Sequence, residues 1–229
     1  MIPTYNERSN IKSLIEEILR LNSDIHIVVV DDQSPDRTAR LVEEFCQQSP
    51  RVHLIERTGC RGRGLADLEG LQYAVSQGFD YIISMDADFS HHPKFIPDFL
   101  NAIQHHDVVL GSRYAKGGKI IGRHWLKNLA SSLANCYVRC LMGTGIRDWT
   151  TGFRCYRREI LESLRLDRMI SVGPSILEEV LYACYRRRCD IFEIPITFVD
   201  RTKDNSKIGF AELIDTLIVI FKIRFFTKL

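Results

Sequence analysis

Apolar positions along the first half of the chain alternate between the spacing of helices and the spacing of buried strands. Between Ile11 and Leu19 the apolar residues recur at intervals of three and four, which predicts an amphipathic helix. The β-branched run at 25–30 predicts a strand buried on both faces, and such strands are usually parallel. The alternation continues to residue 110, with further helices predicted at 38–48, 65–77 and 94–105 and strands at 52–56, 81–85 and 108–110. This order predicts an α/β fold with a doubly wound, mostly parallel sheet and helices on both faces.

The second half of the chain is less regular. Its pattern predicts helices at 125–142, 159–164, 175–188 and 210–226 and strands at 152–156 and 191–199. No linker rich in Pro, Gly or Ser divides the chain, so we expect a single domain over residues 1–229. Only Met1 and Ile2 precede Pro3, whereas a strand is usually about five residues long. We therefore expect either that the first strand is truncated or that the true start of the protein lies upstream of Met1.

The composition is that of a compact globular protein, since 45% of the residues are hydrophobic and 26% are charged. The net charge of +2 hides an uneven distribution. Residues 1–112 contain 10 Lys and Arg against 17 Asp and Glu, and residues 113–229 contain 21 against 12, so the halves carry −7 and +9. The basic half suits a polyanionic ligand, although solvated faces of unequal charge are the alternative. No nucleic-acid recognition motif is present, so we expect no nucleic acid partner.

Two aspartates follow the predicted strand at 81–85. Ligands of open α/β sheets bind beyond the carboxyl ends of the strands, so residues in this position deserve attention. In extended backbone Asp86 and Asp88 project to the same side, and two carboxylates so close together repel each other unless a cation lies between them. Mg²⁺ or Mn²⁺ suits such oxygen ligands and is usually completed by phosphate oxygens of a substrate. An acidic pair in a solvated turn is the alternative interpretation.

Basic residues follow two other predicted strands. Arg113 comes directly after the strand at 108–110, and Arg201 follows the strand at 191–199, with Lys207 six residues further on. Arginines at such positions suit bidentate contacts with phosphate. The glycine segment around Gly62 and Gly64 lacks the spacing of a dinucleotide-binding fingerprint. Acidic strand ends facing basic strand ends therefore predict a site for a metal-bound nucleoside diphosphate.

Seven short blocks, in order along almost the whole chain, resemble family 2 glycosyltransferases, and within them the dolichol-phosphate (polyprenol-phosphate) mannose synthases. The blocks are Pro3-Thr4-Tyr5-Asn6-Glu7; Val29-Val30-Asp31-Asp32 with Ser34-Pro35-Asp36; Arg57 with Gly62, Gly64 and Ala66; Met85-Asp86-Ala87-Asp88 with His91-His92-Pro93; Gly111-Ser112-Arg113-Tyr114; Asp148-Trp149-Thr150-Thr151-Gly152-Phe153-Arg154; and Glu193-Ile194-Pro195-Ile196 with Phe198, Asp200 and Arg201.

The resemblance implies a GT-A fold and transfer of mannose from GDP-mannose to a polyprenyl (dolichyl) phosphate, with inversion and a divalent metal. It implies that Pro3, Tyr5, Glu7 and Asp32 hold the base and ribose, with Val30 and Ala87 in the same nucleotide-sugar site. Asp86 and Asp88 would surround the metal and the diphosphate, while Arg113, Arg201 and Lys207 would hold phosphates. The candidate catalytic residues are thus Asp86, Asp88, Arg113 and Asp148.

The chain departs from the family pattern at three places. Ser90 stands where some members have Gln, and Ser90 is a poorer metal ligand, so water would complete the site with it. The usual Gly-x-Ser-Lys is Asp204-Asn205-Ser206-Lys207, and Pro174 and Ser175 replace aromatic residues. The last two changes lie where the family approaches its acceptor.

The acceptor side has its own candidate residues. We expect Lys127 and Arg154 to contact the lipid phosphate. A phosphate monoester is already largely anionic at pH 7, so no general base is required. Asp148 would serve as a base only for a hydroxyl acceptor, and we expect it instead to orient Arg154 or the acceptor loop.

A lipid acceptor requires access to a membrane. No apolar run reaches the roughly 18 residues of a membrane-spanning helix. The segment 210–229 predicts a C-terminal amphipathic helix at the membrane interface, with a helix packed on the domain as the alternative. We expect a cytoplasmic protein, peripheral on the cytosolic face of a membrane, and a small membrane subunit as an alternative anchor.

Two other functions remain open. The first is transfer of another sugar, from UDP-glucose or a similar donor, to a polyprenyl phosphate or a glycan. The second is a catalytically silent module that binds a nucleotide sugar. Nucleotidyl transfer ranks third, because no glycine-rich motif with a lysine suits the activation of a triphosphate.

Overall fold

A computed structural model describes residues 1–171, 173–200 and 210–226, with the side chains of the last segment described from 217 to 225. The first half contains the strands β1 (Ile2–Thr4), β2 (Ile27–Asp31), β3 (Val52–Glu56), β4 (Tyr81–Ser84) and β5 (Val108–Ser112) and the helices α1 (Arg8–Leu19), α2 (Thr38–Gln48), α3 (Arg63–Ser76) and α4 (Ile96–Ala102). The second half contains β6 (Lys119–Ile121), α5 (Trp125–Met142), β7 (Arg154–Arg157), α6 (Arg158–Ser163), α7 (Ile176–Arg186), β8 (Ile191–Pro195), β9 (Thr197–Val199) and α8 (Phe210–Phe226).

The first three strands form a parallel ladder in the order β1-β2-β3. Ile2 lies opposite Val29 and Thr4 opposite Asp31, so the ends of β1 and β2 are level. All five residues of β2 are buried, as its unbroken apolar run predicts. The first strand exists and has three residues.

A second ladder has the order β4-β7-β5-β8. In it β5 and β8 are parallel, whereas β7 is antiparallel to both β4 and β5. The backbone N–H of Met85 donates to the carbonyl oxygen of Met1 at 3.1 Å, which brings the end of β4 beside β1. The predicted fold is therefore confirmed as mostly parallel, with β7 as an inserted antiparallel strand.

A short ladder of β6 and β9 was not predicted. The sequence pattern indicated one strand at 191–199, but the structure divides this segment into β8 and β9 at Ile196. The N–H of Ile196 donates to Ser112 at 3.1 Å, while its carbonyl accepts from Lys119 at 2.9 Å. Ile196 therefore changes partner from β5 to the start of β6, and this change brings β9 towards α5.

Two apolar clusters cover the two faces of the sheet. Neighbouring residues of β7 enter opposite clusters, Cys155 the one with α1 and α4 and Tyr156 the one with α3 and α7. This alternation is the expected result of a pleated strand buried on both faces. The helices therefore cover both faces of the sheet, as predicted.

The C-terminal helix α8 packs on α5. The hydroxyl of Tyr137 donates to the carbonyl of Leu217 at 3.3 Å, and Nε of Arg224 donates to the carbonyl of Leu141 at 3.1 Å. Ile220 and Ile223 are buried, while the opposite face exposes apolar side chains, namely Ile218, Phe221 and Phe225. The helix therefore packs on the domain, as one alternative predicted, and keeps an exposed apolar face; its binding to a membrane interface stays a prediction. Within the described ranges, no helix combines the length and the apolar character that crossing a bilayer requires.

Candidate active site

A cavity of about 770 Å³ opens at the carboxyl ends of β1, β2 and β4. These strands end at Thr4, Asp31 and Ser84, directly before the polar segments in which the sequence places its chemistry. Most of the predicted site residues line the cavity, namely Pro3, Tyr5, Glu7, Asp32, Asp86, Ala87, Asp88, Ser90 and Lys127. The topology therefore brings three separate polar segments to one locus.

The carboxylate of Asp88 is held by its own loop. Its Oδ1 accepts hydrogen bonds from the hydroxyl of Ser90 at 2.6 Å and from the backbone N–H of Ser90 at 3.1 Å. Phe89 between them has a φ of 61°, which closes this tight turn. Ser90 thus contacts Asp88 directly, and its hydroxyl orients the second aspartate of the pair.

The carboxylate of Asp86 is held by an arginine of α3. The guanidinium of Arg63, at the start of α3, donates to Oδ1 of Asp86 and, at 3.2 Å, to Oδ2 of the buried Asp67. Burial would lower the pKa of Arg63, but the charges of Asp86 and Asp67 outweigh it and raise that pKa. Arg63 therefore remains cationic and offsets the charge of Asp86.

The imidazole of His91 supports the same loop. Its Nδ1 accepts the backbone N–H of Asp86 at 3.0 Å, which requires this nitrogen to be unprotonated. Burial lowers the pKa of His91 and favours the neutral ring. The ring stacks on Phe153 with 5.1 Å between centroids. His91 is therefore a support for the acidic loop rather than an additional metal ligand.

The end of the cavity near β1 and β2 has a preorganised polar wall. Asp32 pairs with Arg57 and also accepts the N–H of Gly62 at 2.8 Å. Arg61 donates to the hydroxyl of Tyr5 at 3.1 Å, and its guanidinium carbon lies 5.1 Å from the centre of the Tyr5 ring. A flat aromatic ring beside a buried carboxylate is a suitable surface for a purine and a ribose.

The structure places two predicted residues away from this wall. Val30 is fully buried inside the sheet, so it supports the strand end and does not line the cavity. Arg113 is 9% exposed and donates through Nε and Nη2 to both oxygens of Asp148, at 2.8 and 2.7 Å. Its Nη2 also donates to Thr150 at 2.6 Å. The charge of Arg113 is therefore already offset by a carboxylate.

The expected roles of Asp148 and Arg154 need correction. Asp148 has no exposed surface and orients Arg113, not Arg154. Arg154 is also fully buried, because its guanidinium donates to the backbone carbonyls of Trp149, Thr151 and Leu177. It therefore fixes the loop that forms the cavity floor and is not available to a lipid phosphate.

Three arginines that line the cavity were missed as site residues, namely Arg61, Arg63 and Arg123. The glycine segment 62–66 was a usable signal for Arg63, because glycines there allow a close approach to a ligand. Arg123 had no local signal, since it reaches the cavity only through the pairing of β6 with β9. The predicted phosphate ligands Arg201 and Lys207 lie outside the described residues.

Comparison with known proteins gives consistent results. The sequence model of the glycosyl transferase family 2 matches residues 1–165. A polyprenol monophosphomannose synthase of Mycolicibacterium smegmatis is 37% identical over 91% of this chain and 80% of its own length. An undecaprenyl-phosphate mannosyltransferase of Micrococcus luteus is 33% identical over 91% of this chain and 86% of its own.

A solved structure adds support for the fold. The glucosyl-3-phosphoglycerate synthase of Mycobacterium tuberculosis, in complex with Mn²⁺, UDP-glucose and phosphoglyceric acid, superposes with a TM-score of 0.69 at 20% identity. The match covers 97% of this chain and 77% of that one. At this identity the likeness concerns the GT-A fold.

Proposed function

The chain belongs to glycosyl transferase family 2 and is a glycosyltransferase, and from this premise we propose that it transfers mannose from GDP-mannose to a polyprenyl phosphate. The observation that carries the proposal is the cavity itself, which joins the acidic pair Asp86 and Asp88 to the basic residues Arg123 and Lys127. The names of the two mannosyltransferase relatives support mannose as the sugar and a polyprenyl phosphate as the acceptor.

The donor set of the acidic loop fits a hard divalent cation. Asp86, Asp88 and Ser90 line the cavity, and no cluster of three or more His, Cys, Asp or Glu occurs among the described residues. Mg²⁺ and Mn²⁺ are commonly held in this way, with water and substrate phosphate completing the shell. Asp86 and Asp88 would hold the ion. When bound, a divalent cation stabilises the negative charge of a departing diphosphate.

The chain's own residues would position the donor. Tyr5 and Arg61 offer a flat surface to the base, and the Asp32 carboxylate, fixed by Arg57, is suited to accept hydrogen bonds from ribose hydroxyls. Arg63 adds a fixed positive charge beside Asp86. A donor held in this way is aligned for displacement before the acceptor arrives.

The reaction needs no general base. The second pKa of a phosphate monoester is about 6, so its oxygen is already a nucleophile at neutral pH. That oxygen forms a bond to the anomeric carbon, while the bond from this carbon to the diphosphate breaks and its electron pair leaves with GDP. The burial of Asp148 and its pairing with Arg113 agree with a mechanism that leaves this carboxylate out of proton transfer.

The surface near α5 supports a membrane location. Along α5 four large apolar side chains are about half exposed or more, namely Trp125, Leu126, Leu129 and Leu133, and α8 adds Ile218, Phe221 and Phe225. The exposed Lys127 and Lys222 lie on the same two helices. Apolar residues flanked by lysines are typical of a surface that binds the membrane interface. The proposal therefore includes peripheral binding to the cytosolic face of a membrane, with or without a small anchor subunit.

A donor screen followed by a transfer assay tests the proposal. Calorimetry is expected to show that GDP binds more tightly than UDP and that Mn²⁺ strengthens binding. Labelled GDP-mannose and a short polyprenyl phosphate should give a labelled lipid, and EDTA should abolish its formation. The exposed Asp24→Asn serves as the control for Asp88→Asn. A preference for UDP would overturn the donor, and binding without turnover would favour a silent binding module.

A further inference from the structure

Arg123 is a cavity residue whose hydrogen-bonding capacity is not used within the described part of the chain. It follows β6 and precedes α5, and its side chain is 17% exposed. Its Nε and Nη1 are buried, and neither has a hydrogen-bond partner among the described residues. The carboxylate of Asp200 is 3.8 Å from Nε, which is beyond hydrogen-bonding distance. Buried guanidinium donors without an acceptor are costly and therefore indicate an absent anionic partner.

The other arginines of the site differ from Arg123 in this respect. Arg63 donates to Asp86 and Asp67, and Arg113 donates to Asp148. These guanidinium groups are already neutralised by carboxylates of the protein.

Two guanidinium groups lie beside the ring of Phe198. The guanidinium carbons of Arg113 and Arg123 lie 5.5 and 5.6 Å from the centre of its ring. Lys127, in the first turn of α5 and four residues after Arg123, lines the same cavity. Burial and the charge of Arg113 lower the pKa of Arg123, while Asp200 partly compensates. An anion with several oxygen atoms would supply the acceptors that the buried donors of Arg123 lack.

We propose that Arg123, together with Lys127, binds the phosphate monoester of the acceptor, a role that rests on the proposed function. The planar guanidinium offers the two-pronged donor that a phosphate requires. The diphosphate of the donor has the same chemistry, but the nucleotide residues belong to β1, β2 and β4, whereas Arg123 and Lys127 flank the start of α5. The exposed apolar side chains of α5 begin beside them, so a lipid chain attached to the phosphate meets an apolar surface at once.

The first arm of the test measures transfer kinetics. Arg123→Gln is expected to raise the KM for a short polyprenyl phosphate about 30-fold, the effect of losing a charge-assisted contact. The KM for GDP-mannose should change less than about twofold. Arg123→Lys keeps the positive charge but loses the two-pronged guanidinium donor. Its KM for the polyprenyl phosphate should lie between those of the unchanged chain and Arg123→Gln. The exposed Arg40→Gln of α2 is the matched control and should behave as the unchanged chain. A selective rise in the KM for the donor would overturn the assignment.

The second arm needs no turnover and so separates this inference from the proposed function. Inorganic phosphate is titrated by calorimetry into the chain with Mn²⁺ alone and into the chain saturated with GDP and Mn²⁺. We expect binding that weakens at least about tenfold in Arg123→Gln and is unchanged in Arg40→Gln. Equal binding to both variants would overturn the phosphate site. Binding that GDP abolishes would assign Arg123 to the donor and overturn the acceptor role.

Discussion

The two sides of the cavity satisfy their charges in opposite ways. On the nucleotide side, Asp32 pairs with Arg57 and Asp86 pairs with Arg63, so each of these carboxylates has a cation supplied by the protein. On the α5 side, Arg123 keeps two buried N–H groups that donate to nothing in the described residues. On the first side the protein supplies a cation to each of these two carboxylates, whereas on the second side buried donors of Arg123 lack an acceptor among the described residues.

This difference follows the charge distribution along the sequence. Residues 1–112 carry a net −7 and residues 113–229 a net +9. The acidic half nevertheless supplies the cavity with Arg61 and Arg63, which fix its own groups. The basic half supplies the cavity with Arg123 and Lys127, and Arg123 keeps buried donors without an acceptor among the described residues, although Asp200 lies 3.8 Å away. Under the proposed function, the first side would orient the nucleotide and the second would hold positive charge for the acceptor phosphate.

Replacing one aspartate of the acidic pair should have the largest effect, which is on kcat. Asp88→Ala is expected to lower kcat at least about 1,000-fold, because the cation and the diphosphate lose their principal carboxylate. Ser90→Ala, which only releases the Asp88 side chain, should lower kcat about 10-fold. Steady-state assays at saturating donor and acceptor measure both. Near-normal turnover of Asp88→Ala would contradict the proposed site.

Replacing one arginine on each side of the cavity should lower the unfolding free energy by very different amounts. Arg57→Gln leaves the buried Asp32 without its cation and is expected to cost about 3 kcal/mol of unfolding free energy. Arg123→Gln breaks no hydrogen bond within the described residues and should change this free energy by less than about 0.5 kcal/mol. Urea unfolding without ligand gives both values. A large loss for Arg123→Gln would mean that the residue has a structural partner.

A buried carboxyl group on α7, near the cavity, is expected to make the folding stability depend on pH. Burial raises the pKa of Glu178 to about 7, and its Oε2 has no partner among the described residues. Between pH 4.5 and 7 the unfolded chain releases this proton while the folded chain keeps it, so folding stability falls as pH rises. The total loss should approach about 3 kcal/mol.

The variant Glu178→Gln should not show this decrease of folding stability with rising pH. The unfolding free energies of the two proteins are compared at pH 4.5 and at pH 8, with the difference between the proteins as the readout. The unfolding free energy of the variant is expected to rise relative to that of the unchanged chain as the pH rises. Parallel pH curves would show that Glu178 is ionised at the same pH in the folded and unfolded chains.

Changing the exposed apolar face of α5 should have the smallest effect of these predictions, which is on vesicle binding. The double variant Leu129→Glu with Leu133→Glu is expected to reduce binding to anionic vesicles about 10-fold, since it removes apolar contact and adds repulsion. Flotation with vesicles measures binding, and Leu21→Glu, which changes an exposed leucine after α1, is the control. Activity on a short water-soluble acceptor should remain. Unchanged flotation would exclude this face from membrane binding.

Local patterns were sufficient for much of the fold. The predicted bounds of α2, α5 and α8 agree with the structure because their sequences carry a continuous apolar pattern. The acidic pair was also identified from sequence, since Asp86 and Asp88 follow a strand and the ends of parallel strands meet. The division of 191–199 into β8 and β9 was missed, because only contacts with β5 and β6 decide it.

The basic residues were predicted less well, because charge is visible in a sequence and burial is not. Arg154 was expected at the acceptor, yet three backbone carbonyls occupy its guanidinium. Arg113 was expected to hold phosphate, yet Asp148 neutralises it. Arg123 was not considered, since its position depends on β6. For an arginine, the partner available in the folded chain decides whether it binds a ligand or supports the fold.

The most direct measurement compares two acceptors of the same chain length, a polyprenyl phosphate and the corresponding polyprenol, with labelled GDP-mannose and Mn²⁺. An enzyme whose α5 side retains charge for a phosphate, and which uses that phosphate as its nucleophile, should label the phosphate and leave the alcohol unlabelled. Labelling of the alcohol at a comparable rate would contradict this account, because it would require a base that deprotonates a hydroxyl and would leave the buried donors of Arg123 without a role in transfer.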